Sequence, residues 1–200
     1  KKIYLDHIRT LNEQIFENTY YEKRAEELQT LIAGAFYNDP NKYYTSEEFN
    51  NSLTTTIGDK SKIPGIVELM SKRSRFLKKH PEISIIPPEI SQVEVENREK
   101  YAATRVTSFK ISARVEKFPN KVYLYYRYQP DQEYQKVMMM DDGSSNDLKS
   151  GDGVYGVEVL PAGKNDRIEF FILAENAKAA NFFPVNYVYK PQKVSLSELN

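Results

Sequence analysis

Over roughly the first 80 residues, apolar side chains recur three and four positions apart, which is the spacing of an amphipathic helix. Thr19 followed by Glu22 matches a capping box, so a second helix is expected to begin there. Pro40 ends that helix, because proline has no N–H and disfavours helix in the residue before it. The first helix precedes Thr19, and its apolar stripe is formed by Tyr4, Ile8, Leu11 and Ile15.

Two further helices are predicted before the pattern changes. Thr45 or Ser46 can cap the third helix, and Gly58 breaks it. Pro64 suits the first position of the fourth helix, where a missing N–H costs no hydrogen bond. Pro81 stops this last helix. The first part of the chain is therefore predicted to be a small bundle of four helices.

From residue 89 onward the apolar positions alternate with a period of two, which is typical of strands. The alternation is clearest in the second predicted strand, where Thr107, Phe109, Ile111, Ala113 and Val115 are expected to face the core. Short strands separated by turn signals predict an immunoglobulin-like or fibronectin-like β-sandwich, in architecture only, since the chain has no cysteine. The predicted strands are Glu89–Val95, Val106–Val115, Lys121–Tyr128, Tyr134–Met140, Val154–Leu160, Arg167–Ala174 and Val185–Lys190.

The change of period divides the chain into two predicted domains of an α+β protein. Residues 1–82 form the helical bundle, residues 83–88 form a proline-containing linker, and residues 89–200 form the antiparallel β-sandwich. The two prolines of the linker, Pro87 and Pro88, favour an extended connection. Lys1 already lies inside a helical pattern and is not a methionine, so we expect a fragment of a longer protein.

Composition removes several classes of function. Lys and Arg number 28, as do Asp and Glu, and this balance argues against a general nucleic-acid-binding protein. Without cysteine there is no thiol nucleophile and no cysteine-ligated zinc, and two histidines cannot supply a three-histidine metal site. No apolar run is long enough to span a membrane. No nucleotide-binding, hydrolase or metalloprotease motif is present, so no catalytic residue is predicted.

An acidic loop follows the apolar run at residues 137–140, within the segment VMMMDDGSSNDLKSGDGVYG. Calcium prefers several oxygen ligands, and the loop offers them. The alternative is that Asp and Asn form side-chain turns while Gly supplies positive φ, and turns of this kind are the commoner case. The candidate ligands are Asp141, Asp142, Asp147 and Asp152, with Asn146 between them.

Two other groups of residues are candidate binding surfaces. Cations crowd the end of the fourth helix and could contact phosphate or an anionic polymer, or they could only offset the partial negative charge of the helix terminus. Tyrosines could form a platform for sugar stacking or pack within and between domains, and packing is the commoner outcome. The cations are Lys72, Arg75, Lys78 and Lys79, beside Arg73 and His80. The tyrosines are Tyr20, Tyr21, Tyr43, Tyr44, Tyr123, Tyr125, Tyr126 and Tyr128.

Two stretches resemble a known family. Ile66–Pro81, IVELMSKRSRFLKKHP, resembles the last helix of the spore-coat protein H (CotH) kinase-like family. In exported bacterial members an immunoglobulin-like domain follows, with a pattern that Val122–Tyr126, Tyr134–Asp142 and Ser150–Tyr155 match. Tyr134 stands where the family usually has Phe. The resemblance covers nearly the whole chain.

The resemblance implies the end of a kinase-like domain that binds ATP and a divalent metal in the parent protein. The family's catalytic aspartates lie upstream of the matched segment, so the fragment is expected to be inactive and to hold neither ATP nor magnesium. The parent is expected to be exported to the cell surface, with this sandwich as an accessory or spacer module. Expected partners are the upstream kinase-like domain and a surface glycan or protein. Two competing hypotheses concern the function of this chain. It could be a docking part of an atypical ATP-dependent kinase, or it could be a carbohydrate-binding module.

Overall fold

The computed structural model describes residues 1–99, 107–144, 147, 149–161 and 167–196. The protein is α+β, with a few helices followed by antiparallel sheets. Two compact units can be distinguished, one formed by residues 4–84 and the other by residues 1–3 together with 85–200. Within the described ranges, no helix combines the length and the apolar character needed to cross a membrane.

The helical part contains four α-helices and one π-helix. They are α1 (Lys2–Leu11), the π-helix Asn12–Glu17, α2 (Tyr20–Asn38), α3 (Ser46–Asn51) and α4 (Ile66–Lys79). The predicted first helix therefore changes type at its middle, and from Asn12 its wider turns have hydrogen bonds that span one residue more than in an α-helix.

The helix termini confirm one predicted cap and correct two others. Thr45 forms a capping box, because its Oγ1 accepts from Glu48 N and its N–H donates to Glu48 Oε2. The capping box predicted at Thr19 is wrong. Thr19 has a φ of 59° and makes no side-chain cap, and Asn18 Oδ1 instead accepts from the N–H of Tyr20.

Pro64 is not the first residue of the fourth helix, which begins at Ile66 after Gly65 as its N-cap. A Cβ on Gly65 would lie 2.7 Å from Leu53 O and 2.7 Å from Thr55 N. The chain is therefore still extended at Gly65, where it passes against the segment that follows α3, and the helix cannot begin earlier. The predicted end of this helix is confirmed, since His80 is its C-cap.

Much of the apolar surface of the helices remains exposed. Neither α2 nor α4 contains a fully buried residue. Phe36 of α2 stacks on Phe49 of α3 with ring centroids 4.2 Å apart. The exposed apolar side chains include Leu28, Leu31 and Ile32 on α2, and Ile66, Leu69 and Phe76 on α4.

The β-strands form two antiparallel sheets. One sheet has the order β1-β2-β5, and the other has the order β4-β3-β6-β7, with β8 also paired to β6. The strands are β1 (Glu89–Glu99), β2 (Thr107–Glu116), β3 (Lys121–Arg127), β4 (Gln135–Met139), β5 (Val154–Val159), β6 (Arg167–Glu175), β7 (Ala180–Phe183) and β8 (Gln192–Ser195).

One main apolar core is shared by residues of both sheets. The predicted inward set of β2 is confirmed for Phe109, Ile111, Ala113 and Val115, which are all buried. The predicted strand residue Val106 lies outside the described residues. The other fully buried core residues are Val122, Leu124, Met139, Val157, Val159, Ile168, Phe170, Ile172 and Ala174.

The predicted strand Val185–Lys190 is wrong. Residues 184–190 form turns, in which the N–H of Tyr187 donates to Pro184 O and the N–H of Lys190 donates to Asn186 O. The strands β7 and β8 lie on either side of this segment. Pro184 and Pro191 bracket it, and proline cannot donate to a strand ladder.

Candidate functional site

The acidic loop joins β4 to β5, which belong to different sheets. Next to β4, Met140 forms a β-bridge with Gly156, and the two residues exchange backbone hydrogen bonds of 2.9 and 2.8 Å. This bridge ties the two sheets together where the loop begins and ends. The loop is therefore anchored on the sandwich at both of its ends.

Asp141 organises the second half of the loop. Its Oδ1 accepts from the N–H groups of Gly151 and Asp152 at 2.5 and 3.2 Å, and its Oδ2 accepts from the N–H of Gly153 at 3.0 Å. Gly151 and Gly153 have φ angles of 78° and 86°, which few other residues adopt. The Gly-Asp-Gly segment thus turns its backbone donors toward one carboxylate.

Asp147 organises the first half of the loop. It is 2% exposed, and its two oxygens accept from the N–H groups of Gly143 and Lys149. Asp142 is exposed, and its Oδ1 accepts from the N–H and the hydroxyl of Ser144. Asn146 lies outside the described residues.

Three of the four predicted metal ligands come together. Asp141, Asp147 and Asp152 each offer a carboxylate oxygen, and these oxygens lie within 4.8 Å of one another, whereas Asp142 is not part of the group. Calcium takes six to eight oxygen ligands, so three carboxylates would supply part of a site. Asp141 and Asp147 already satisfy backbone donors with their oxygens. Hydrogen bonds from backbone N–H groups hold the carboxylates of Asp141 and Asp147, and Asp152 Oδ1 accepts from the N–H of Val154.

The predicted cationic cluster lies along α4. Lys72 Nζ is 2.6 Å from Glu68 Oε1, one helical turn earlier, and Lys78 Nζ is 2.9 Å from Glu17 Oε2. Arg75 and Lys79 are exposed, and no described carboxylate lies within 4.0 Å of either. Two of the four cations are thus paired with acids, and all four are exposed to solvent.

The tyrosines of β3 point to the two faces of the sheet. Tyr126 and Tyr128 pack against the main core, with the Tyr126 hydroxyl 2.9 Å from Gln135 Oε1 and the Tyr128 hydroxyl donating to Leu160 O. Burial raises the pKa of Tyr128 to about 12. Tyr123 and Tyr125 lie on the opposite, outer face. The remaining candidate tyrosines belong to the helical unit, where Tyr20 and Tyr43 are exposed.

Each of the outer tyrosines has another side chain against one face of its ring. Tyr125 stacks on Phe171 with an angle of 5° between the rings and 4.8 Å between their centroids. Lys136 Nζ lies 3.7 Å from the centroid of Tyr123 and 5.4 Å from that of Tyr125. A sugar-stacking platform needs a free ring face. On β3 the predicted platform thus has another side chain against one face of each of these two rings.

A segment that we call the roof (residues 184–190) covers part of this outer face. Tyr187 lies 4.2 Å from Phe171 and 4.5 Å from Phe182, centroid to centroid, and closes a second small apolar cluster. The roof itself exposes Val185, Val188 and Tyr189, and Tyr189 is 88% exposed. The sequence predicts this surface poorly, because its apolar residues favour a strand and only the flanking Pro184 and Pro191 indicate a turn.

A comparison with protein-family models found no family that matches the chain, and a comparison with curated proteins found no relative.

Proposed function

We propose that this chain is the C-terminal part of an exported bacterial protein of the CotH type, in which the β-sandwich is an accessory module that binds a protein at the cell surface. The family assignment rests on the resemblance of Ile66–Pro81 and of the segments around the acidic loop. The catalytic part of such a parent would lie upstream, and this chain would contribute recognition to it.

The observation that carries the binding role is the apolar surface of the roof. The outer face of an antiparallel sheet in a sandwich is usually polar and solvated. Here it is aromatic, and the segment that covers it turns Val188 and Tyr189 to solvent. A pure spacer has no need for such a surface, whereas protein interfaces are enriched in tyrosine and in contiguous apolar contacts.

The contacts of the outer tyrosines favour a protein ligand over a sugar. Lys136 lies against one ring face of Tyr123, Phe171 lies against one ring face of Tyr125, and the edges and hydroxyls of both rings remain for other contacts. Edges and hydroxyls suit the hydrogen bonds and side-chain packing of a protein contact. Stacking of a pyranose on the covered ring faces would require these side chains to rearrange.

The test is cosedimentation of the labelled 200-residue chain with cell envelopes of the organism that encodes it, before and after protease treatment. We expect saturable binding that protease treatment abolishes and periodate oxidation of glycans leaves intact. The double variant V188S/Y189S should bind about tenfold more weakly, since central tyrosine anchors carry much of an interface's free energy.

A matched control comes from the other unit. Tyr43 is as exposed as Tyr189, so Tyr43→Ser should leave envelope binding unchanged. Loss of binding after periodate treatment but not after protease treatment would show that the ligand is a glycan and not a protein. No saturable binding to either preparation would remove the accessory binding role and leave a spacer.

A second candidate function has its own support in α4. Arg75 and Lys79 are exposed cations beside the exposed ring of Phe76. They could bind a substrate of a longer, catalytically active protein that contains this chain. ATP-dependent phosphorylation by the full-length protein should then fall in the variant R75E/K79E. Arg24, which pairs with Glu27 on the surface, offers the control R24E. Unchanged phosphorylation by R75E/K79E would exclude this role for α4.

A further inference from the structure

The connection from β2 to β3 carries the chain from one sheet to the other through residues 117–120, which we call the arch. Lys117 and Phe118 both have left-handed backbones, with φ angles of 67° and 58°. Bulky residues rarely adopt this conformation, and glycine is the usual choice for it. The arch therefore contains two consecutive strained residues, and such strain persists only where the surrounding structure imposes it.

That shape presents Phe118 to solvent. Its side chain is 91% exposed, so its ring gives the sandwich almost no burial in return for the backbone strain. Strained positions of this kind concentrate where a protein positions a group for contact with something else. The same arch with glycine at this position would be less strained and would expose no apolar ring.

A groove of about 250 Å³ lies beside the ring. Its wall is well ordered by hydrogen bonds, because Asn176 Oδ1 accepts from the N–H groups of Lys178 and Ala179 and the N–H of Asn120 donates to Glu175 O. The surface that remains is mostly apolar. The residues that line the groove are Ile85, Phe118, Asn120, Asn176, Ala177 and Lys178.

The charges around the groove favour an acidic occupant. Lys178 lines the groove and Lys121 directly follows the arch, and both are exposed. No described carboxylate lies within 4.0 Å of either amine, while Lys117 is 3.5 Å from Glu89. A second copy of this chain placed here would bring the same lysines together, which would oppose the contact.

We propose that Phe118 and the adjoining groove form a docking site for an acidic protein segment that inserts one bulky apolar side chain against the Phe118 ring, with its carboxylates near Lys121 and Lys178. A shallow groove of about 250 Å³ has room for one side chain, whereas contact with a bilayer needs a broad apolar surface. The proposal does not depend on the accessory role of the roof, because it rests on a different surface of the same unit.

The absence of tryptophan from the chain allows a clean test. A synthetic peptide with one Trp flanked by Asp and Glu is titrated with the 200-residue chain, and only the peptide contributes Trp fluorescence. We expect a saturable shift of the emission to shorter wavelength. Phe118→Gly should weaken binding at least about tenfold while the melting temperature stays equal or rises, because glycine accepts the positive φ. Lys178→Glu should weaken it as well.

Four results would overturn the proposal. The first is equal affinity of Phe118→Gly and the parent chain for the acidic peptide, and the second is equal binding of a peptide in which Lys replaces the acidic residues. The third is a dimer in analytical ultracentrifugation that Phe118→Gly dissociates. The fourth is cosedimentation with phosphatidylglycerol vesicles that Phe118→Gly abolishes. The variant V188S/Y189S should bind the acidic peptide normally. The experiments therefore distinguish failure of the proposed docking site at the arch from failure of the proposed binding role of the roof.

Discussion

Arg127 and Glu169 face each other on β3 and β6, and the Arg127 guanidinium donates two hydrogen bonds to Glu169 Oε2, of 3.0 Å from Nε and 2.8 Å from Nη2. On the other side, Lys193 Nζ of β8 lies 2.5 Å from Glu169 Oε1. The guanidinium also lies over the Tyr134 ring, 4.5 Å from its centroid. One largely buried carboxylate thus connects three strands of the sheet.

We expect Glu169→Gln to lower the free energy of unfolding of the sandwich by about 2 kcal/mol, because the Arg127 guanidinium loses its charged hydrogen-bond acceptor. Urea unfolding followed by the near-ultraviolet tyrosine circular dichroism measures this. The matched control is Glu27→Gln, which breaks the exposed Arg24–Glu27 pair and should cost less than about 1 kcal/mol. Equal effects of the two variants would show that the Glu169 pair is no stronger than a surface pair.

The same carboxylate predicts a dependence on pH. Burial raises the pKa of Glu169, but the hydrogen bonds from Lys193 and Arg127 outweigh it and hold the pKa below its ordinary value of 4.5. A lowered folded-state pKa stabilises the protein above the ordinary pKa, and this stabilisation is lost as the pH falls through the folded-state value. The stability difference between parent and Glu169→Gln should therefore be constant near neutrality and shrink in acid below 4.5. A constant difference down to the acid limit would contradict the assignment.

Asp6 predicts the opposite dependence for the helical unit. Its carboxyl is 3% exposed, and burial raises its pKa from 3.8 to about 6, against the opposing effect of Arg9 and with a small contribution from Glu13. A carboxyl whose pKa is raised by folding stabilises the folded state fully below pH 3.8, and this stabilisation is lost as the pH rises through about 6. Thermal unfolding followed by the helical circular dichroism signal should show a loss of up to about 3 kcal/mol across this window. Asp6→Asn should remove that part of the pH dependence, and an identical profile in the variant would refute it.

Asp141 allows a test of the acidic loop. Asp141→Ala should destabilise the sandwich by about 2 kcal/mol, because three backbone N–H groups lose a charged acceptor. Asp142→Ala, which among the described residues removes an acceptor from Ser144 alone, should cost less than about 1 kcal/mol. Differential scanning calorimetry with calcium and with a chelator should give the same melting temperature for the parent chain. An increase with calcium would favour the metal site, since a ligand bound only to the folded state must stabilise it.

Two glycines form a matched pair for the helical unit. Gly65→Ala should cost more than about 2 kcal/mol, because the added Cβ would meet the backbone of Leu53 and Thr55 at 2.7 Å. Gly34 lies inside α2 with nothing within 4 Å of an added Cβ, so Gly34→Ala should stabilise the unit by about 0.5–1 kcal/mol. Thermal unfolding followed by helical circular dichroism compares them. A stabilising Gly65→Ala would show that the close approach at the start of α4 is absent.

Periodicity predicted the strands of five residues or more, although β1 continues to Glu99, four residues beyond its predicted end at Val95. In β2 the alternation continues for ten residues, and one register places four apolar side chains in the main core. The strands β7 and β8 have four residues each, which is too few for an alternating pattern to be recognised. The run from Val185 to Tyr189 has strand-forming residues, but its backbone follows the two prolines that bracket it.

Local chemistry was predictable from the sequence, and long-range geometry was not. The glycines at 151 and 153 indicated turns that place Asp141 and Asp152 near one another, and three of the four expected carboxylates do converge. Whether Lys136 covers Tyr123, or Lys78 reaches Glu17 61 positions away, depends on sheet register and helix packing. The exposed Phe118 gave no signal, since a single Phe before a proline is unremarkable until its φ angle and its neighbours are known.

The π-helix at Asn12–Glu17 has a consequence for how the helical unit tolerates insertions and deletions. Each α-helical residue turns the chain by about 100°. The wide turn of the π-helix therefore sets the rotation of one helical segment relative to the next. The segment before it buries Asp6, and the segment after it places Glu17 beside Lys78. Asn12 Oδ1, buried without a hydrogen-bond donor, marks the point where that phase is adjusted. Removing one residue here would restore a regular α-helix and misalign one of these contacts, so this turn should be among the least tolerant of length changes in the helical unit.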